Sequence, residues 1–533
     1  MKYDTIVVGG GLAGLTAAAY IARSGKSVIL FEKEEKTGGL VNSFERNGYV
    51  FDGGIRAIEN SGIIFPMLRQ LGIDIDMIKS RVSMGIGDSV MRIKDKGSLE
   101  EYETFLIGHF PERSDDIRAI IREIRKIMQY MDVLYGIDNP AFLDIKNNPK
   151  YLMKTIMPWL IKYMLTIPKI IRLDQPVDEY IRKFTHDQSL TDIIVQHFFQ
   201  KTPTFFALSY FSLYLDYQYP RGGTGTLPGK VEAYVREHGG TIKTGTRIVS
   251  ADIEKKIIRD DQGAGYTYGD LVWAADLKYF YSMIEPGSLQ DKKLGKAVIQ
   301  KQETMKDLHG CDSIFTLYLA VDRDKEYFSH ICSEHFFYTP DKAGLSRADR
   351  SKIELILKDP SSFSLSESKK IIKTYLDDYF RYNTYEISFP VLRDASLAPE
   401  GKTGLIISTL FDYQLTKLIF DAGWYEEFKT YAEDSMIRTL EKSIFTGIRN
   451  DIEDRFSSTP ISIERYTGNT DGAITGWAFT NPQIPVIHKM TKIFSSVDTP
   501  LPHVYQAGQW SYSPSGLPIS VLTGKLAADK IVK

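Results

Sequence analysis

Cysteine is almost missing: Cys311 and Cys332 are the only two in 533 residues, with no C-x-x-C pair and no metal-ligand spacing. That argues against a disulfide framework and a structural zinc, so no metal is expected and both thiols read as buried groups in a reducing compartment. Net charge is nearly absent too. A formal charge of −2 and a sequence pI near 6.5 provide no field for a polyanion, and nucleic acid is not an expected partner. The chain shows no Ser/His/Asp signature, no H-E-x-x-H and no P-loop lysine, which argues against hydrolase, zinc-protease and phosphotransferase chemistry. There is no low-complexity tract. Because a strand begins at Tyr3, no room remains for the charged and apolar regions of a cleaved signal, and a cytoplasmic location is expected.

What is present is core material: 43% apolar and 25% charged residues, enough chain for two connected domains. The first of them opens with a nucleotide site. Residues 3–8 read as a buried strand, Gly9 to Gly14 spell G-x-G-x-x-G, Leu15 to Arg23 read as an alanine-rich helix, and Ser27 to Phe31 form a second strand closed by Glu32. In that setting Gly9 permits the tight turn, Gly11 lets backbone approach a pyrophosphate, and Gly14 with Ala18 lets the helix lie close to the sheet. The helix N-terminus offers free N–H groups to phosphate, and Glu32 is placed to accept hydrogen bonds from an adenosine ribose. Gly38-Gly39 follows soon after. A nicotinamide unit does not need that doublet, whereas a second stretch of backbone passing close to a flavin does.

Farther along, residues 55–75 read as helical with Gly72 as C-cap, and the glycine signature then yields to helical periodicity up to Tyr219. Pro220 to Pro228 marks a sharp return, followed by a helix over 229–238, a strand pair at 239–242 and 247–249, and a short apolar strand from Leu271 to Ala275. Strand-like stretches at 313–321, 386–391 and 405–410 suggest a mixed sheet able to wall a cavity. Val504 to Trp510 reads as a strand and turn, and Leu517-Pro518 opens the last helix. The expected organisation is a discontinuous dinucleotide-binding domain over 1–75, 220–285 and 455–533, with a substrate domain over 76–219 and 286–454.

Taken together, Gly9 to Gly14 with Glu32, Gly38-Gly39, Phe51-Asp52-Gly53-Gly54, Tyr219 to Gly223, Gly239-Gly240 with Ile248, Val272 to Asp276, Arg465 to Asn469 with Gly476-Trp477, and Gly508-Gln509-Trp510 through Gly516-Leu517-Pro518 resemble the flavin-dependent desaturase and amine-oxidase superfamily. Within it they resemble the branch of phytoene desaturases, carotenoid isomerases and retinol saturases. The resemblance implies an α/β fold: a Rossmann-like, three-layer FAD-binding domain of the glutathione-reductase kind, with an interleaved α+β substrate domain. It implies FAD contacts at Gly9, Gly11, Leu12, Ala13, Gly14, Glu32, Lys33, Gly38, Gly39, Leu40, Gly53, Gly54, Ala274, Gly508 and Gln509, adenine against the backbone of Ile248 and Val249, and the flavin pyrimidine facing Leu517, Pro518 and Ile519. A helix N-terminus there would stabilise the negative charge of a reduced ring. The chain departs from many relatives at Leu40, at Arg56 and at Pro514-Ser515-Gly516.

The resemblance implies an oxidoreductase acting on C–C or C=C bonds of a long apolar unsaturated substrate, a carotenoid, another isoprenoid or a fatty acyl chain, by desaturation, saturation or isomerisation. Two alternatives stand beside it: a flavin-dependent amine oxidase, and a non-catalytic flavin-containing carrier of lipid or isoprenoid. Arg56 is a candidate to stabilise an anionic reduced flavin or grip a substrate oxygen, against an ordinary structural ion pair. Trp510 and Tyr512 are candidates to line the flavin, and Tyr338 to donate a proton, each against simple packing.

The run from Tyr151 to Leu173 is strongly apolar, with Lys154, Thr155, Lys162, Thr166 and Lys169 in one stripe at helical spacing. A membrane span is disfavoured, because Lys162 near its centre would cost roughly 2.5–3.5 kcal/mol and because Pro158 and Pro168 are expected to break the helix. An interfacial helix over 146–173, docking peripherally on anionic lipid, is the expectation, against a helix folded onto its own domain with its lysines in water.

Overall fold

A computed structural model describes residues 2–143 and 149–532; the start of the expected interfacial segment, 146–148, lies outside them. Continuous apolar runs such as Thr5 to Val8 and Val28 to Phe31 are buried on both faces, the pattern of a parallel sheet covered on each side. Five parallel strands run in the order Thr241–Lys243, Val28–Phe31, Lys2–Val8, Gly265–Trp273, Val504–Gln506, and two antiparallel strands, Ile257–Asp260 and Ile248–Asp252, extend from the Gly265–Trp273 strand. One face is covered by the helices Leu12–Arg23, Thr226–Glu237 and Leu517–Val532; on the other lie Leu277, Phe280, Tyr281 and Val298. The domain is therefore Rossmann-like, assembled from chain segments far apart in sequence.

A second, seven-stranded sheet runs in the order Ile452–Ser458, Ser313–Val321, Thr403–Phe411, Tyr385–Ser388, His335–Thr339, Val82–Ile86, Ser89–Ile93. One of its faces carries Phe315, Leu317, Leu319, Phe336 and Ile387 into a core under helices such as Leu365–Tyr382 and Tyr425–Ser443. The other face looks into a cavity. Helices Ser114–Tyr135 and Thr204–Tyr214 cover the Val82–Ile93 end. A small sheet of Ile58–Glu59, Tyr217–Pro220 and Met77–Lys79 bridges the two halves.

Several local expectations need correction. A domain boundary at 454 cuts the strand Ile452–Ser458, which pairs with Ser313–Val321 in the second sheet. The strand expected to run to Val391 ends at Ser388, because Pro390 opens a helical turn. The strands near 240 and 248 do not pair with each other: the first joins Val28–Phe31 and the second Ile257–Asp260. The prolines do not break the 151–173 segment either. A π-turn at Leu152–Ile156 runs into a helix over Met157–Ile171 with Pro158 in its first turn and Pro168 inside it. Both cysteines are buried.

Candidate functional site

Three glycine turns from distant parts of the chain meet on one cavity of about 1000 Å³. In the first, Gly9 has a φ of +107° and lies so close to the Ala274 carbonyl that a Cβ would overlap it. Gly14 sits beneath, where a Cβ would collide with the carbonyl oxygen of Gly9. Gly11 differs: nothing lies within 4 Å of where its Cβ would project. It caps the helix Leu12–Arg23 with no side-chain hydrogen bond, so the first-turn N–H groups remain free for an anion at the positive end of the helix dipole. Glu32 closes the turn by accepting the Gly10 N–H at 2.6 Å and the Glu34 N–H at 2.9 Å. Burial pushes its carboxyl upward despite these bonds.

The second turn, Gly38-Gly39, has positive φ at both residues and donates the Gly38 N–H to the Gly10 carbonyl at 2.8 Å. Its continuation runs to Gly53 and Gly54, pressed against Asn42 and the Leu40 carbonyl. The third turn, at Gly508 with φ +88°, lies beside Ala13 and leads to Trp510, whose indole donates to Asn469 at 3.2 Å and meets Trp477 edge-on at 4.9 Å. The C-terminal helix then starts at Leu517, at the cavity wall. Lys33 is tied down by Glu34 and by the carbonyls of Arg465 and Tyr466.

Of the residues expected around the cofactor, all but Gly14 and Val249 line this one cavity. Gly14 is sealed under the turn, and Val249 points to solvent beside the lining residue Ile248. A dinucleotide fits the cradle: the space over Gly11, the uncapped helix and the Glu32 carboxylate form an anion site next to a ribose site, as a pyrophosphate-linked nucleotide requires.

Beyond the glycines the cavity continues over the open face of the second sheet. Thr316, Ser408, Glu386 and Phe337 lie in register across four strands, each lining the cavity. Arg56 is 4% exposed and reaches this row, donating to Ser408 Oγ at 3.0 Å and to the carbonyls of Asp52 and Gly54. Trp510, Tyr512 and Arg56 all line the cavity; Tyr338 does not. Strand alternation explains the difference, because His335 and Phe337 face the cavity while Phe336 and Tyr338 face the core, where the Tyr338 hydroxyl donates to the Gly87 carbonyl at 2.9 Å. Tyr338 is thus a packing residue.

Among the polar groups of the cavity that the sequence did not single out are Glu59, Glu386, His335 and His197. Burial lowers His197 to about 4 and lowers His335 as well, so both imidazoles are neutral at pH 7. The one sequence signal for Glu386 and Ser408 was a polar residue at alternate positions of otherwise apolar strands.

At the mouth lies the helix Met157–Ile171. Trp159, Tyr163, Ile167 and Ile170 line the cavity, while Met153, Met157, Ile161, Met164 and Leu165 point outward, the last two 66% and 67% exposed. Lys154, Lys162 and Lys169 are exposed along one edge, whereas Thr166 is buried and donates to the Lys162 carbonyl. Phe494 adds a further exposed ring at the same mouth. Among the described residues no helix is long and apolar enough to cross a membrane.

Comparison with known proteins agrees with the geometry. The family model of the NAD(P)-binding Rossmann-like domain matches residues 7–71. The chain is 24% identical over 494 residues to the chloroplastic prolycopene isomerase of Daucus carota, covering 88% of this chain and 71% of that protein. It is 23% identical to the 4,4'-diaponeurosporene oxygenase of Staphylococcus aureus, covering 100% of this chain and 98% of the relative. The fold is similar to that of cyclohexylamine oxidase from Brevibacterium oxydans, with a TM-score of 0.56 at 10% identity over 99% of this chain and 98% of the other.

Proposed function

We propose that this chain is an FAD-dependent oxidoreductase acting on C–C or C=C bonds of a long apolar unsaturated substrate, a conjugated polyene above all, taken up at the face of an anionic membrane. The observation that carries this reading is the continuity of one cavity, glycine-lined where a dinucleotide belongs, aromatic and aliphatic beyond it, and open beneath a helix with an exposed apolar face. The two relatives named for carotenoid chemistry align with most or all of the chain.

When bound, the flavin supplies reversible two-electron chemistry. The residues of the chain do the rest. The N-terminus of Leu12–Arg23 and the loop at Gly38-Gly39 would hold the pyrophosphate, Glu32 would take the ribose, and the N-terminus of Leu517–Val532 would stand by the pyrimidine edge. Arg56, held by two backbone carbonyls and Ser408, fixes a positive charge beside the reacting region. Phe198, Phe205, Tyr210 and Phe337 give the substrate an apolar wall and keep water out.

An amine oxidase reading draws on the fold alone, since the amine-oxidase likeness stands at 10% identity. The deciding experiment is to purify the protein, extract and identify its flavin, and incubate it in both redox states with carotenes in liposomes and separately with amines. Change of a polyene supports the proposal; peroxide from amines with untouched polyenes supports the amine oxidase; a flavin that bleaches with dithionite and turns over neither supports a carrier.

A further inference from the structure

We propose, resting on the polyene reading, that Glu59 is the proton-carrying residue of this cavity and adds a proton to a carbon of the bound unsaturated chain, while Glu386 is the fixed anion that faces the positive charge so formed. Glu59 ends the two-residue strand Ile58–Glu59, three positions after Arg56, and its backbone is held against Tyr217 of the bridging sheet. Its side chain lines the cavity and takes part in no hydrogen bond or ion pair among the described residues. A half-buried carboxyl that faces a largely apolar cavity with no partner is disfavoured as an anion and holds its proton more tightly than an ordinary carboxyl.

A second observation points to a ligand at the same place. His335 is 1% exposed, lines the cavity, and neither ring nitrogen has an aligned hydrogen-bond partner; Nε2 lies 2.9 Å from Glu386 Oε1. Arg56 likewise keeps a buried Nε without a partner. Three residues lining the cavity beside Tyr217, Phe337 and Tyr210 thus carry polar atoms without a partner, those of His335 and Arg56 sealed within the wall.

The electrostatics divide the two carboxyls. Burial raises Glu59 to about 7, with the negative charges of Asp216 and Glu386 adding to it. Asp216 and Glu386 disfavour its anion, and its own negative charge opposes ionisation of the Tyr135, Tyr210 and Tyr217 hydroxyls nearby. Burial would raise Glu386 too, but His335, Arg56 and Arg393 outweigh it and hold that carboxyl below its ordinary range. Two neighbouring carboxyls pushed apart in this way are the usual arrangement of an acid beside a fixed anion.

The step balances without an oxidant or reductant. The O–H bond of Glu59 breaks and the electron pair of one C=C forms the new C–H bond. The positive charge spreads along the conjugated chain and is stabilised by Glu386 in a low-dielectric site. Bonds of reduced order rotate, and the Glu59 carboxylate removes the proton to regenerate a double bond of changed geometry. Glu59 ends as it began.

The test uses the flavin-loaded protein with poly-cis lycopene in liposomes as probe, following isomer composition by chromatography from about pH 5 to 9. The protonated-carboxyl C=O band is followed by infrared difference spectroscopy over the same range. The wild type should isomerise the carotene with a rate that falls above about pH 7, and Glu59→Gln should lose on the order of 100-fold or more, with the pH limb gone. Glu59→Asp should retain part of the rate and the limb. The infrared band should titrate near neutrality in the wild type and be missing from Glu59→Gln. A Glu59→Gln protein that isomerises at the wild-type rate, or keeps the titrating band, overturns the proposal and leaves the polyene reading standing. A wild type that leaves the carotene unchanged in either redox state overturns that reading, and the proton transfer with it.

Discussion

The hydroxyl of Tyr219 donates to the carboxylate of Asp52 at 2.8 Å, joining stretches of chain 167 residues apart. The other oxygen of that carboxylate accepts Ser43 Oγ at 2.7 Å and both the N–H and the hydroxyl of Thr224 at 2.9 Å. Asp52 is fully buried and precedes the Gly53-Gly54 pair that lines the cavity, so one anion ties the continuation of the second turn to the Tyr219–Thr224 segment. Its replacement by Asn keeps the shape but removes the charge and two of the acceptor sites, so the Thr224 N–H and the hydroxyls of Ser43, Thr224 and Tyr219 can no longer all donate to it. Each buried donor left unpaired costs about 1–3 kcal/mol, so Asp52→Asn should destabilise the protein by about 3 kcal/mol in urea unfolding and lower the flavin retained on purification. Unchanged stability would show that the node does not hold the cradle.

Gly11 and Gly14, three residues apart, should respond to alanine in opposite ways. At Gly14 a Cβ overlaps the Gly9 carbonyl, so Gly14→Ala should lower stability by about 1–3 kcal/mol or prevent folding. At Gly11 the backbone has an ordinary φ of −69° and the added methyl meets nothing, so Gly11→Ala should fold with an unchanged melting temperature and lose flavin, because the methyl occupies the space for the pyrophosphate. Melting curves with and without FAD separate the two.

The contrast also shows why parts of the site were legible in the sequence. Gly9 to Gly14, Glu32, Gly38-Gly39 and Leu517-Pro518 are local patterns whose spacing carries their meaning, and the cavity collects nearly all of them. Tyr338 was misplaced by one pleat: the quartet His335 to Tyr338 offers two faces, and only the register against Tyr385–Ser388 says which is the core. Glu59 carries no local signal at all, since its surroundings depend on Asp216-Tyr217 and Glu386 arriving from two other segments. Pro168 misled for the reverse reason. A local rule was outweighed by burial of Ile167 and Ile170 on either side of it.

The exposed apolar face of Met157–Ile171 should bind lipid. The wild type should sediment with phosphatidylserine vesicles and bind less as salt is raised, because Lys154, Lys162 and Lys169 each contribute about 1 kcal/mol near an anionic surface. The triple change Ile161→Ser, Met164→Ser, Leu165→Ser should weaken this at least tenfold, since each apolar side chain buried is worth about 1.5–3 kcal/mol. Equal sedimentation with and without vesicles would mean that this face is covered some other way.

Stability should fall with pH on account of Glu59. Its folded-state carboxyl is raised from the ordinary range to about 7, so the folded protein binds the proton that the unfolded chain has released. The stabilisation is fully present below the ordinary carboxylate range and is lost as pH rises through about 7. Glu59→Gln removes that dependence and should be more stable than the wild type at about pH 8 by roughly 1–3 kcal/mol, relative to their difference at about pH 5, as read from paired urea titrations.

The most direct measurement is calorimetric titration of flavin-stripped protein with FAD, with Gly11→Ala alongside. One FAD bound per chain by the wild type, restoring the visible flavin spectrum, together with a folded Gly11→Ala protein that binds none, is the expected result. Folded wild-type protein that gives no heat with FAD and stays colourless would contradict the convergence of the three glycine turns on a single flavin.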